Sequence, residues 1–346
     1  MNEKYNDMVD IKWEELTFGY IKTDYNVRCY FKNGKWGAIE KSASEEINIH
    51  MAATCLHYGQ EAFEGLKAFR GKDDKIRVFR WIENAKRLRN SAEAIMCEGV
   101  PDEIFKQAVF EAIQLNKKYI PPYGTGGSLY IRPLLIGTGE RVGVKPADEY
   151  LFVVFVTPVG PYFKEGFKPV KMQIVRDFDR AAPLGTGHVK IGGNYAASLR
   201  AGERAHSEGF ASCLFLDAKT KTKIDEAGPA NFFGIKNNTY ITPKSHSILP
   251  SITNMSLRVL AAEMGLKVEE REIPVEELGT FEEGGACGTA AVISPIGEIQ
   301  DRETGKIYKL GDGINPGRYS EKLYTRLRAI QYGEEPDTFG WCDFIE

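Results

Sequence analysis

The stretch Pro158-Val159-Gly160-Pro161-Tyr162-Phe163-Lys164-Glu165-Gly166-Phe167-Lys168-Pro169 constrains the fold most. Its three prolines and two glycines break any regular element, because proline lacks the backbone donor and glycine gives up no side-chain restraint. A chain of 346 residues with 42% hydrophobic content can bury one large core or two ordinary ones. A break near its middle predicts two. The expected organisation is a small N-terminal domain over 1–158, an interdomain linker over 159–169 and a larger domain over 170–346.

Patterning within each half is mixed. Val27 to Phe31 and Trp36 to Glu40, joined through Asn33-Gly34, read as a hairpin. Glu64 to Phe69 and Lys75 to Phe79 flank Gly71-Lys72-Asp73-Asp74 and read as another. One helix is expected from near Asn84, with Leu88, Ala92 and Ile95 on one face. A second starts near Asp102, just after Pro101, with Phe105, Ala108, Val109, Ala112 and Leu115 aligned. Ser128 to Leu135 and Tyr150 to Val156 read as buried strands. Beyond the break, Asn194 to Ser207 predicts a helix capped by Asn194, and Phe210 to Leu216 a strand pairing with Lys223 to Asp225. Thr253 to Met264 predicts a helix with Thr253 as its cap and Gly265 past its end. Ala286 to Ile293 is a short apolar run, and Pro316 to Tyr332 a final helix. Strands and helices mixed in two halves give an α+β two-domain class, not a regular βαβ repeat.

Charge excludes some partners. The chain carries 45 Lys+Arg against 48 Asp+Glu, a balance that suits neither nucleic acid nor a polybasic membrane contact. The polar, acidic start Met1 to Asp7 shows no signal peptide, and no apolar run is long enough to span a bilayer. Cys29, Cys55, Cys97, Cys213, Cys287 and Cys342 are scattered with no C-x-x-C pair. They read as free buried thiols of a reducing cytoplasm, and no metal site is expected.

Three local patterns carry chemistry. In Lys190-Ile191-Gly192-Gly193-Asn194-Tyr195 a lysine precedes paired glycines, which let backbone pass close to a bulky group. Glu226 follows a short strand in Ile224-Asp225-Glu226-Ala227-Gly228-Pro229-Ala230-Asn231-Phe232-Phe233, where it or Asp225 can serve as a buried acid. Ser251-Ile252-Thr253 opens a helix, and the unpaired N–H groups of a helix start form an anion site.

The lysine segment resembles the active-site motif of the fold-type IV pyridoxal-phosphate enzymes, most closely the branched-chain amino acid aminotransferases. Glu226, Gly228, Asn231 and Phe233 sit in register with the E-x-G-x-x-N-x-F signature of class IV. Leu249-Pro250-Ser251-Ile252-Thr253 matches L-x-G-I-T, with Ser251 in place of glycine. His57 to Leu66 resembles H-Y-G-x-x-x-F-E-G, and Tyr130-Ile131-Arg132-Pro133 resembles Y-I-R-P. The likeness runs from about Phe18 to Tyr332. It departs where some members carry a C-x-x-C pair, since Ala291 and Ser294 stand there.

The resemblance implies a two-domain fold-type IV enzyme with the cofactor at the domain interface. Pyridoxal 5′-phosphate would be bound as a Schiff base by Lys190, with Glu226 at its ring nitrogen and Tyr195 at its phenolic oxygen. Its phosphate would be held by Arg87, Ile252, Thr253 and Thr289. Tyr58, Phe63, Tyr130, Arg132, Tyr162, Thr289 and Ala290 would shape the substrate pocket. The implied reaction passes the amino group of L-leucine, L-isoleucine or L-valine to 2-oxoglutarate, with Lys190 moving the proton. A cytoplasmic homodimer is implied, its partners being small-molecule substrates. Rivals within the fold are D-amino acid transaminase and aminodeoxychorismate lyase. Outside them stand a cofactor-binding protein without turnover and a nucleotide-binding oxidoreductase, the latter disfavoured because no G-x-G-x-x-G follows a strand.

Overall fold

A computed structural model of the chain describes residues 8–161 and 166–345. The chain forms two compact units. The first is Met1–Tyr162 with Lys190–Gly192 and Ala329–Glu346, and the second is Phe163–Val189 with Gly193–Arg328. The partition therefore differs from a simple cut at 159–169, because two later segments join the first unit. One begins at Ala329 and contains the strand Cys342–Ile345, too short to stand out by pattern. The other is the tripeptide that begins with Lys190.

The first unit is built on an antiparallel sheet. Its strands are β1 (Asn26–Lys32), β2 (Lys35–Trp36), β3 (Glu40–Ser42), β4 (Glu61–Phe63), β5 (Leu66–Arg70), β6 (Ile76–Phe79), β7 (Ser128–Gly137) and β8 (Tyr150–Val159). They lie in the order Cys342–Ile345, β6, β5, β7, β8, β1, β2, with β3 on β1 and β4 on β7. The Asn33-Gly34 turn has both residues at positive φ, 53° and 74°, as the tight hairpin demands. Both expected hairpins are present. Strand β8 runs on through Pro158 and Val159, so the break in regular structure begins later than the prolines suggest.

Helix α1 (Thr54–Tyr58) is a single turn. Helix α2 (Trp81–Ala94) starts three residues before Asn84, after Arg80 at φ 48°, and Ile95 lies just past its end. Helix α3 (Asp102–Leu115) starts where Pro101 places it and buries Phe105, Ala108, Val109, Ala112 and Ile113. Ile113, not Leu115, completes the buried face. The rings of Trp81, Phe105 and Phe152 stack in series at 6.5 and 5.9 Å, joining α2, α3 and β8. Each such buried side chain contributes about 1.5–3 kcal/mol.

In the second unit, six strands close on themselves. They are β9 (Val170–Val175), β10 (Ser212–Leu216), β11 (Ile224–Ala227), β12 (Ala230–Lys236), β15 (Glu283–Gly288) and β16 (Val292–Asp301). Each pairs with two neighbours in the ring β11-β10-β9-β16-β15-β12, which the β11–β12 pairing shuts. Strands β13 (Thr239–Pro243) and β14 (Lys267–Arg271) extend from β12, and β17 (Ile307–Lys309) lies on β16. β9 and β10 are parallel, so a crossover must join them. Helix α4 (Gly192–Ser207) provides it. Period-two alternation sorts the side chains: Met172, Ile174, Leu214 and Leu216 join one core, while Val175, Cys213 and Phe215 pack with Ala201 and Ala205 of α4.

Helix α5 (Ile252–Glu263) is capped by Ser251, whose hydroxyl accepts the Asn254 N–H at 3.2 Å. Thr253 is therefore inside the helix and not its cap, and Gly265 follows at φ 82° as a helix stop. The apolar run 286–293 is the end of β15, a turn and the start of β16. Helix α6 (Arg318–Tyr332) ends the series.

Candidate active site

In the first unit, Lys190 is held by its main chain. Its N–H donates to the Ser91 hydroxyl at 2.9 Å, and its carbonyl accepts the Phe63 N–H at 3.1 Å. The Lys190 Nζ stands 4.6 Å from the centroid of the Phe63 ring, and the Arg132 guanidinium 4.8 Å from it. Strand alternation puts Tyr130 and Arg132 on one face of β7, where Arg132 Nη2 donates to the Tyr130 hydroxyl at 3.0 Å. Lys190, Phe63, Tyr130 and Arg132, all expected from sequence, are thus brought together. Gly192 has a close neighbour: a Cβ there would lie 1.7 Å from Glu61 Oε1. Burial pushes the Glu61 carboxyl above its ordinary range.

Arg87 lies on α2 and is buried at 9% exposure. Its Nε and Nη2 donate to both oxygens of Glu64, at 2.7 and 2.8 Å, and Glu64 is 0% exposed. Asn84 donates to the same carboxylate at 2.7 Å. The bidentate fork fixes the plane of the guanidinium. Sequence reasoning missed Glu64 as a functional side chain, although it lies in the Phe63-Glu64-Gly65 segment. Tyr58 is exposed at the end of α1, where its hydroxyl donates to the Val142 carbonyl. Tyr162 lies outside the described residues.

In the second unit, Glu226 is the centre. It is buried on β11, accepts the Leu249 N–H at 2.6 Å and is approached by the Asn231 amide at 3.5 Å. Alternation gives Asp225 and Glu226 different surroundings. Asp225 faces Ser245, whose hydroxyl donates to it at 2.9 Å, and burial raises its carboxyl. Glu226 lines a small pocket, part of it open to solvent, together with Arg180, Asn194, Tyr195, Ser198 and Leu249 among others.

Arg180, which sequence reasoning also missed, donates through Nη2 to the carbonyls of Gly187, at 3.0 Å, and Ser247. Its buried Nε stands 3.6 Å from Glu226 Oε2 and has no hydrogen-bond partner among the described residues. Asn194 is not a cap. It sits inside α4, buried, and its amide reaches back to the Thr186 and Val189 carbonyls at 2.7 and 2.9 Å. This fastens the loop before Lys190 to the helix that carries Tyr195.

A buried polar chain joins this pocket to α5. Asn254 donates to Asn231 Oδ1 at 3.2 Å and to Thr242 at 2.9 Å, while accepting the Tyr240 hydroxyl at 2.8 Å. Ile252 and Thr253 form the first turn of α5, ahead of the Asn254 and Met255 amides that Ser251 satisfies. Their own amides are those a helix start leaves outside its ladder. Thr289 and Ala290, half-buried, make the turn between β15 and β16.

Comparison with known proteins adds to this geometry. The model of the family described as amino-transferase class IV matches residues 61–299. A branched-chain-amino-acid aminotransferase of Haemophilus influenzae is 47% identical over 98% of this chain and 100% of its own length. The crystal structure of the Escherichia coli branched-chain amino acid aminotransferase aligns with TM-score 0.79 at 28% identity, over 94% of this chain and 100% of that one. The Thermobaculum terrenum enzyme of the same name, solved in its PLP-form, aligns with TM-score 0.76 at 22% identity over 94% and 99%, a likeness of fold.

Proposed function

The chain belongs to the class IV aminotransferases, and from that membership we propose that it is a pyridoxal-phosphate-dependent transaminase of branched-chain L-amino acids. It moves the amino group of leucine, isoleucine or valine to 2-oxoglutarate and releases the 2-oxo acid and glutamate. The observation that carries the reading is Glu226, a buried carboxylate fixed by Leu249 and Asn231 in a pocket that also holds Tyr195.

The residues present fit the cofactor. A buried acid with a rigid donor set suits a protonated ring nitrogen, since the pairing offsets desolvation of both. Arg180, which also lines this pocket, sets its guanidinium 3.6 Å from Glu226 and adds a cation beside the same carboxylate. Bound there, pyridoxal phosphate supplies a carbonyl that captures amines and a ring that takes up the electron pair left at the α-carbon. Lys190 supplies the amine that anchors it and then moves the proton at the substrate α-carbon. Tyr195 donates to the phenolic oxygen. Arg87, Ile252, Thr253 and Thr289 hold the phosphate. Phe63, Tyr130, Tyr58 and Tyr162 wall the side-chain slot, Arg132 serves the glutamate carboxylate at its rim, and Thr289-Ala290 receives the α-carboxylate. The working form is a cytoplasmic homodimer acting on small molecules. Among the described residues no helix is long and apolar enough to cross a membrane.

An amino-donor screen with 2-oxoglutarate tests the assignment. Leucine, isoleucine and valine should exceed alanine by about tenfold or more, the discrimination expected of an apolar slot. D-alanine turned over faster than L-leucine would overturn the substrate assignment and leave the cofactor reading standing.

A further inference from the structure

Helix α2 buries two kinds of face. Leu88 and Ala92 lie in the apolar core, as periodicity predicts, but Asn84, Arg87 and Ser91 are buried too, at spacings of three and four. A buried polar stripe is costly unless every group finds a partner. Asn84 and Arg87 find Glu64. Ser91, 0% exposed, donates its hydroxyl proton to the Arg87 carbonyl at 2.9 Å. Such a bond to the carbonyl four residues back is common for serine in helices and needs no site to explain it. Its consequence here is specific. With the proton committed, the oxygen faces outward as an acceptor, and what it accepts is the Lys190 N–H, 99 positions along the chain, at 2.9 Å. The Lys190 carbonyl is held in turn by the Phe63 N–H. The peptide groups on both sides of the Lys190 α-carbon are therefore anchored.

We propose that Ser91 is a positioning residue for Lys190: its hydroxyl fixes the main chain from which the amine reaches, without touching a reacting atom. The inference rests on Lys190 being the lysine that anchors pyridoxal phosphate. The amine sits on a flexible four-carbon stem, so its working position is only as well defined as its α-carbon. A displacement of about 1 Å is enough to cost roughly a hundredfold in rate.

The test is a double-mutant comparison. Full-length protein carrying Ser91→Ala or Ser91→Thr is prepared with Lys190 intact and with Lys190→Ala. The dissociation constant of pyridoxal phosphate is measured for all, and the rate of borohydride-fixable attachment for those with Lys190. With Lys190 present, Ser91→Ala should slow attachment and weaken retention by about tenfold or more. Ser91→Thr, which keeps the hydroxyl, should stay within roughly threefold of wild type. With Lys190→Ala, removing the hydroxyl should leave the dissociation constant unchanged. An equal loss in both backgrounds would show that Ser91 acts through Arg87 or general packing, and no loss with Lys190 present would show that it does not act at all. Either overturns the inference. Should Ser91→Ala not fold, Ser91→Cys keeps the volume with a weaker acceptor and reads the same comparison. A wild-type chain that takes up no pyridoxal phosphate would overturn the function itself, an outcome visible before any Ser91 variant is made.

Discussion

Asn231 stands directly opposite Glu226 in the antiparallel pairing of β11 with β12. Its amide approaches Glu226 Oε1 at 3.5 Å and donates to the Leu249 carbonyl at 3.0 Å, while the Leu249 N–H donates to the same Glu226 oxygen at 2.6 Å. The three groups form a closed clamp, and Asn254 holds its far side at 3.2 Å. A carboxylate gripped in this way costs no reorganisation when charge develops beside it.

Glu226→Gln keeps the shape and removes the charge. Turnover should fall by roughly 10²-fold or more, the loss typical of one preorganised electrostatic contact. The cofactor should remain bound, as seen in its visible absorbance. Near-normal turnover would assign the role to another group.

Arg87→Ala should act twice. It removes the proposed phosphate ligand, so pyridoxal phosphate should be lost on dialysis faster than from wild type, with a smaller effect on turnover in saturating cofactor. It also leaves the fully buried Glu64 without its cation, which should cost about 3–5 kcal/mol of stability in denaturant unfolding. Unchanged cofactor retention would reduce Arg87 to a structural partner of Glu64.

The signature around Glu226 is legible as a local motif because several of its residues are neighbours in space as well as in sequence. Glu226, Gly228 and Asn231 lie on one tight β11–β12 connection, with Gly228 at φ 59° in the turn. Ser91, Glu64 and Arg180 were not legible, since their partners come from distant chain segments and each is an ordinary polar residue in its own window. Helix starts were misplaced for a related reason. Asn84, Asn194 and Thr253 all have cap chemistry, yet each lies within a helix, and a cap is defined by backbone geometry that spacing does not reveal. Closure of the six-stranded ring escaped as well. Alternation assigns faces to strands but not their partners.

Acid should weaken the second unit through Glu277. Arg271, with Lys236, holds its carboxyl down from 4.5 to about 2. A carboxyl depressed in the folded state contributes stability above its unfolded value and loses it as pH falls through the folded one. Glu277→Gln should therefore cost about 1–2 kcal/mol at pH 7, after screening. That deficit should shrink between roughly pH 4.5 and 2, where wild type gives up the same contribution. Melting temperatures of the two proteins across this range check the sign. A deficit that does not change with pH would exclude the ion pair as its source.

Phe63→Ala should erode the leucine-to-alanine preference by about tenfold, the contribution of one or two methylenes in an apolar slot, and reduce glutamate use less. Specificity constants for the three amino acids separate the outcomes. Equal losses for leucine and glutamate would mean that Phe63 supports Lys190 and Arg132, whose cations flank its ring, and does not sort side chains.

The central claim is that Lys190 carries the cofactor. Borohydride reduction of the purified holoprotein followed by peptide mapping tests it most directly. The account predicts a pyridoxyl group on Lys190, absent from Lys190→Ala. A label on any other lysine, or none in a protein that retains pyridoxal phosphate, would contradict it.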